Sequence, residues 1–416
     1  MGTKMKPKKL TVLQAATINK PIKPDLGYGP IETVIYNIDK GLRLLGHRSI
    51  VACSADSCVT GEQYVTVQRS LGDYACESTP EQIKIVKKHL LKILERAKMG
   101  DIDVIQMHGW LDDIYTNVFN PSQPIAVTLH VPAKDGPIEE DQYQQFNIMQ
   151  NPRIYFVAIS EYQKQQYNGL TNIKTVHHGI EIQDWKFKER PDKGSYLFII
   201  GRITQDKGQD KAIEIAKRTG SKLIIAGCVQ NKPEDQKFFE SLKSSIDLIA
   251  DIGKYRVDKD YYEEVMKPLL DCDKQIIYIG EISREQKNLW YRHARATLFP
   301  IQWGEPFGLV LIESMAAGTP ILALKKGSVP EIVEDGETGF VVDSLDEMID
   351  AVARIDSIDP QRCRVHVQNR FSITSMAQKY SDLYQQILDE KRALATHDRL
   401  TIGNLLKLLP HGHKAL

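Results

Sequence analysis

Two glutamates, Glu305 and Glu313, stand eight residues apart in GEPFGLVLIESMAAGTP at 304–320. Glu313 sits between the apolar run Leu309-Val310-Leu311-Ile312 and Met315-Ala316-Ala317. A buried carboxylate there is costly unless something pairs with it. Pro306 suits the first turn of a helix, and Gly308 removes side-chain bulk, so the amides of Phe307, Gly308 and Leu309 are free to face a ligand. Carboxylates accept hydrogen bonds from vicinal hydroxyls, and a ribose or hexose would supply them. The alternative is that Glu313 pairs with a neighbouring element of the fold.

A second constellation is FIIGRITQDKGQD at 198–210. A strand ends at Ile200, Gly201 turns the chain, Arg202 and Lys207 occupy the loop, and Gly208 leads into a helix. Two cations beside a helix start form an anion site, with backbone amides adding to the side-chain charge; a solvated basic loop is the plainer reading. In LGYGPIETVIYNI, Gly27 and Gly29 flank Tyr28 ahead of a helix. They either admit a phosphate close to the backbone or simply make a turn. Glu32 lies where the helix dipole favours a carboxylate whatever its role. His108 and His130 each end a strand. His130, followed by the loop VPAKDGP, is the candidate site histidine; His108, His177 and His178 read as hydrogen-bonded structural residues.

These residues need elements to hold them. Short β-rich runs alternate with helical stretches: KLTVLQAAT, then IETVIYNIDKGLRLLGH, RSIVACSA, EQIKIVKKHLLKILERAKMG, DVIQMH, PIAVTLH and RIYFVAIS. The charged stretch DWKFKERPDKGS at 184–195 reads as a linker. The alternation then restarts with YLFIIGR. The expected fold is α/β, two doubly wound parallel-sheet domains in series, with residues 1–185 and 194–375 as the domains, 376–395 as a final helix and 396–416 as a tail. Ligands of such sheets bind beyond the carboxyl ends of the strands, here in the cleft between the domains.

With 416 residues, two domains fit the length. Lys+Arg and Asp+Glu are equal at 54 each, so no overall field draws in nucleic acid or membrane. Six cysteines without a CxxC pair fit reduced thiols in a cytoplasmic protein. No apolar run reaches membrane-spanning length, and the basic start MGTKMKPKKL has no signal-like apolar core. The lysines of IKIVKKHLLKILERAK could meet anionic lipid, but packing on a sheet is the expected role of that helix.

The segment GEPFGLVLIESMAAGTPILALKKGSVPEIVEDGETGFVV, with its E-x7-E spacing, resembles the signature of the family-four retaining glycosyltransferases (glycosyltransferases group 1), which have the GT-B fold. LGYGPIE resembles their N-terminal glycine loop, with Pro30 in place of the usual second glycine. VTLH, AISEYQ, HHGIE and GRITQDKG match further segments in the right order, although Asn-Gly-Ile-Asp is commoner than His178-Gly179-Ile180-Glu181. The likeness covers about residues 10 to 385.

The resemblance implies two Rossmann-like domains, the first binding an acceptor and the second a nucleoside-diphosphate sugar (UDP-, GDP- or ADP-sugar). Arg202 and Lys207, with Gly201, would neutralise the leaving diphosphate. Glu313 would hold the ribose, and Glu305 with the amides of Phe307, Gly308 and Leu309 the transferred hexosyl group. His130 would contact that sugar or steady an oxocarbenium-like transition state, and Gly27 to Gly29 would approach the diphosphate. The catalytic set is then His130, Arg202, Lys207 and Glu305. Neither cofactor nor metal is expected: the fixed cations serve the leaving group, and Asp112-Asp113 is a weak DxD. The final helix would brace the N-terminal domain. The acceptor, a sugar, small molecule or lipid, would be set by loops at 54–80 and 131–150. A dinucleotide dehydrogenase would need GxGxxG and a distal acid, which GYGPIE does not supply. A GT-B sugar-nucleotide epimerase and a degenerate binding or scaffold subunit are the other readings.

Overall fold

The computed structural model describes residues 8–26, 29–72, 79–108, 122–131, 153–167, 169–187 and 196–408, with 394–408 as helix backbone only. Among these residues the strands form two seven-stranded sheets. The first holds β1 (Thr11–Ala15), β2 (Arg48–Ser54), β3 (Glu62–Val67), β4 (Val104–Met107), β5 (Ile125–Thr128), β6 (Ile154–Ala158) and β7 (Ile173–Thr175), in the order β3-β2-β1-β4-β5-β6-β7. The second holds β8 (Leu197–Ile200), β9 (Leu223–Ala226), β10 (Leu248–Ile249), β11 (Ile276–Tyr278), β12 (Ala296–Phe299), β13 (Ile321–Leu324) and β14 (Gly339–Val342), in the order β10-β11-β9-β8-β12-β13-β14. Every neighbouring pair is parallel.

The sequence dictates this arrangement locally. VIQM, IAVT, LIIA and ILAL are buried along their whole length, as strands covered on both faces must be. The helix Pro30–Leu44 starts on a proline, which has no amide to leave unpaired. The helix Pro80–Ala97 is closed by a capping box between Thr79 and Gln82. Strand order reverses between β1 and β4 in one sheet and between β8 and β12 in the other. The loops that leave the carboxyl ends there diverge and open a crevice.

Three strands escape the sequence reading. β3, EQYVTV, is a half-exposed edge strand whose polar alternation hides it. β10 is two residues long, and β14 lies within a segment noticed for its glutamates. Of KTVHHGI at 174–180, which also reads as a strand, only Lys174 and Thr175 belong to one, β7. The expected linker begins with a 3₁₀ turn, Ile182–Asp184, and its residues 188–195 lie outside the described residues. The final helix is longer than expected, Ile373–Leu408 rather than 376–395. Its residues Met376, Tyr380, Leu383, Tyr384, Ile387 and Leu388 pack with Val12, Val34, Ile38 and Val104 beneath the first sheet. Each such buried side chain is worth about 1.5–3 kcal/mol, which ties this segment to the far domain.

Candidate active site

A cavity of about 520 Å³ lies between the two domains. Pro30, His130 and His178 line it from the first, and Arg202, Lys207 and Glu305 from the second. A smaller cavity of about 130 Å³ adjoins it along Gly201, Leu309 and Val310 and reaches Gly29, Lys287 and Glu313.

The loop after β8 presents the cations. A 3₁₀ turn, Gln205–Lys207, hands the chain to Gly208, which starts the helix Gln209–Thr219 with φ 72°. A Cβ at Gly208 would lie 2.2 Å from the Pro300 carbonyl oxygen, so glycine is required twice over, for conformation and for space. Buried Gln209 donates to the Arg202 carbonyl at 2.8 Å and fixes the turn. Arg202 Nη1 donates to Gln230 Oε1 at 3.2 Å. Lys207 Nζ lies 2.5 Å from Glu305 Oε2 and 5.2 Å from the Trp303 ring centre, a cation–π contact.

The loop after β12 carries the glutamates. The Ser328 amide donates to the Glu305 carbonyl (2.9 Å), and Ser328 Oγ to the Phe307 carbonyl (3.0 Å), so the turn is held from behind. Gly308, at φ 80°, opens the helix Leu309–Ala316. The first-turn amides of a helix have no i−4 partner; at this start the Leu311 amide donates to the Gly308 carbonyl at 3.0 Å, and Gly308, Leu309 and Val310 line the cavity. Glu313 lies more than a turn further in and is 7% exposed. Its charge is answered by Lys287 Nζ at 3.4 Å and the Tyr291 hydroxyl at 3.3 Å. Burial, then the Glu313 charge, pushes the Tyr291 phenol well above its ordinary pKa, so it stays a donor. Glu313 thus pairs within its own domain and still faces the smaller cavity.

Three histidines form a row at the first sheet's carboxyl edge. His108 Nδ1 lies 3.1 Å from His130 Nε2. His130 and His178 stack with ring centres 5.8 Å apart and planes at 22°, and His178 meets Phe307 edge-on at 4.9 Å. Burial lowers all three pKa values, that of His130 to about 3. The structural reading holds for His177, which bonds Glu331 Oε2 at 3.1 Å. His178 packs against His130 and Phe307 and also lines the cavity. Glu331, from the second domain, also accepts from the Glu161 (2.8 Å) and Tyr162 (2.6 Å) amides and so caps the first domain's helix Glu161–Gln166.

The structure therefore brings together His130, Gly201, Arg202, Lys207, Glu305, Phe307, Gly308 and Leu309 in the larger cavity and Gly29 with Glu313 in the smaller. Gly27, Asp112-Asp113, and the parts of the two acceptor loops at 73–78 and 132–150 lie outside the described residues. On the helix Pro80–Ala97, Lys84, Lys87 and Lys88 are exposed while His89, Leu90 and Ile93 pack inward. Sequence reasoning missed Lys287, Gln230, Trp303 and His178. Lys287 was findable, because it lies four residues before Tyr291 on one helix and shares its face. Among the described residues no group of three or more His, Cys, Asp or Glu side chains is placed to hold a metal ion, and no helix is long and apolar enough to cross a membrane.

Residues 181–364 match the model of the family described as glycosyl transferases group 1. A lipopolysaccharide 1,2-N-acetylglucosaminetransferase of Salmonella typhimurium is 30% identical over 212 residues, which are 48% of this chain and 50% of that protein. The chain thus spans half the length of that relative. A D-inositol 3-phosphate glycosyltransferase of Nocardioides is 23% identical over 361 residues, 75% of this chain and 73% of that one. Among solved structures, sucrose-phosphate synthase of Thermosynechococcus elongatus superposes with a TM-score of 0.67 at 15% identity, covering 92% of this chain and 100% of its own. Anabaena HepE in complex with UDP-glucose gives 0.63 at 15% identity, covering 91% and 100%. The two facing parallel sheets are the GT-B fold, and residues 181–364 of the chain resemble the glycosyl transferases group 1.

Proposed function

We propose that this chain is a retaining glycosyltransferase that moves a hexosyl group from a nucleoside-diphosphate sugar to an acceptor hydroxyl without a metal. The observation that carries the reading is the meeting of Arg202, Lys207 and the start of the helix Leu309–Ala316 in one cavity with Glu305, while Glu313 faces the adjoining one. Charge grows on the diphosphate as the glycosidic bond breaks. Two fixed cations and a helix start aimed at it stabilise that charge more in the transition state than in the ground state. Glu313, with Lys287 beside it, takes the ribose hydroxyls. Glu305 and the amides of Phe307, Gly308 and Leu309 take the sugar, and His130 faces it from the other domain. HepE, with which the fold is shared, binds UDP and UDP-glucose. The domains expected at 1–185 and 194–375 then divide the work as acceptor side and donor side.

Calorimetric titration with UDP, GDP and ADP in the presence of a chelator tests this. One nucleotide should bind and release no heat with Arg202→Ala or Lys207→Ala, while circular dichroism stays unchanged. Full transfer activity in either variant would sink the phosphate assignment, and donor binding that requires added Mg²⁺ would sink the metal-free mechanism.

A further inference from the structure

We propose that His108 and His178 are positioning residues that hold His130 in a single tautomer, its proton on Nδ1, and present that N–H to the transferred group. The inference rests on the donor-cleft reading above. Its starting point is a hydrogen bond with two possible senses. β4 and β5 pair in parallel, Met107 opposite Val127, so the residues that follow them emerge side by side. His108 Nδ1 and His130 Nε2 are 3.1 Å apart. A neutral imidazole has one N–H and one lone pair, and burial keeps both rings neutral.

The sense follows from the far side of His108. That ring is 2% exposed, and its Nε2 is buried with no partner. If His130 donated, the His108 proton would have to sit on Nε2, as a buried N–H with no acceptor. Folded proteins avoid an orphaned donor more strictly than an unused acceptor. His108 therefore donates from Nδ1 and His130 accepts at Nε2. The His130 proton is left on Nδ1, which has no hydrogen bond to the described residues, in a side chain that lines the larger cavity.

His178 closes the remaining freedom. It lies nearly parallel to His130 at 5.8 Å and is itself wedged edge-on against Phe307. A flip of the His130 ring, which would exchange its two nitrogens, must break the bond to His108 and disturb this stack. The strands beneath are braced as well: the Tyr380 hydroxyl meets Thr128 Oγ1 at 2.9 Å, two residues before His130, and the Tyr384 hydroxyl donates to Gln106 Oε1 at 2.8 Å, two residues before His108.

The test is the ¹⁵N spectrum of the full chain labelled at histidine, with His130→Gln for assignment. The expected result is a His130 ring protonated at Nδ1. His108→Asn keeps a donor at the Nδ1 position and should keep that tautomer. His108→Asp offers only acceptors and should turn His130 to the Nε2–H form. His178→Phe should preserve the tautomer, and His178→Ala should let both appear. In parallel, with whichever of UDP, GDP and ADP the unmodified protein binds, His108→Asp should weaken binding of the matching glucose nucleotide about tenfold and leave the free nucleotide unchanged. A His130 protonated at Nε2 in the unmodified protein overturns the inference, as does a His130 spectrum, or an affinity for the bound sugar nucleotide, indifferent to His108→Asp. Failure of the unmodified protein to bind any of UDP, GDP, ADP and their sugars would instead count against the donor reading, since the tautomer is read without any ligand.

Discussion

Lys207 and Glu305 meet at 2.5 Å in the cleft, yet the proposed chemistry gives them different partners, the diphosphate and the sugar. Both are mostly buried, so the ion pair keeps two otherwise uncompensated charges satisfied until the donor arrives. On the proposed chemistry the partners exchange: phosphate would take Lys207, and Glu305 would be released to the sugar hydroxyls. Glu305→Gln removes the competitor for Lys207 and should tighten binding of UDP alone about threefold, the scale of a partly exposed ion pair. The same change should lower transfer by about a hundredfold or more by misplacing the sugar. Titration and initial rates on one preparation read both, and a parallel loss of UDP affinity would refute the exchange. Arg202, Lys207, Glu305 and Glu313, though not Lys287, were legible from type and spacing, because a carboxylate in an apolar run and two cations after a strand demand explanation. Their pairing was not. Glu305 and Lys207 are 98 residues apart in the chain, and only the meeting of two strand ends makes them neighbours.

At the scale of elements, the final helix belongs to both halves of the molecule. Tyr384 donates to Gln106 Oε1, and Tyr380 meets Thr128, at buried positions directly under the strands that carry the histidine row. Tyr384→Phe strands a buried amide oxygen and should cost about 1–3 kcal/mol. Combining it with Gln106→Leu should recover part of that loss, since the unpaired group is then gone. Urea unfolding of the two single variants and the double one measures the coupling; additive losses would show that the hydroxyl does not satisfy Gln106. Buried strands such as IAVT and LIIA were legible because parallel sheets need unbroken apolar runs. The edge strand β3 was not, because one exposed flank replaces that run with alternation. The helix Ile373–Leu408 was seen, but its end was not: neither a proline nor a glycine stands at residue 395 to stop it.

Across the whole molecule, buried histidines set the acid limit of stability. Burial lowers the pKa values of His47, His89, His108, His130, His178 and His366, that of His89 to about 4. Between the ordinary value near 6.5 and these lowered values, the unfolded chain binds more protons than the folded one, so stability rises with pH in that window. It is complete above about pH 6.5 and is lost as the pH falls toward about 4; His89 alone accounts for about 3 kcal/mol. The urea midpoint should therefore fall steadily from pH 7 to pH 5, and His89→Gln should flatten the slope. A flat profile in the unmodified protein would contradict the buried neutral histidines. The paired α/β domains were legible from the restart of the strand–helix alternation at YLFIIGR, whereas the contacts between them, Glu331 on Glu161 and Tyr162, were not, since nothing local marks a carboxylate as the cap of a distant helix.

The chain passes between the domains twice, once near Ile180 and again near Ser372, and the two passages are bonded to each other: the Ile180 amide donates to the Phe371 carbonyl at 2.8 Å, and the Ile373 amide to the Ile180 carbonyl at 3.0 Å. Two bodies joined at one point can swing in any direction. Joined by two strands zipped side by side, they keep chiefly one degree of freedom, rotation about the line of the zip. A hinge of that kind would carry Arg202 and Lys207 past His130 along a fixed arc, so that closing the cleft would also register it.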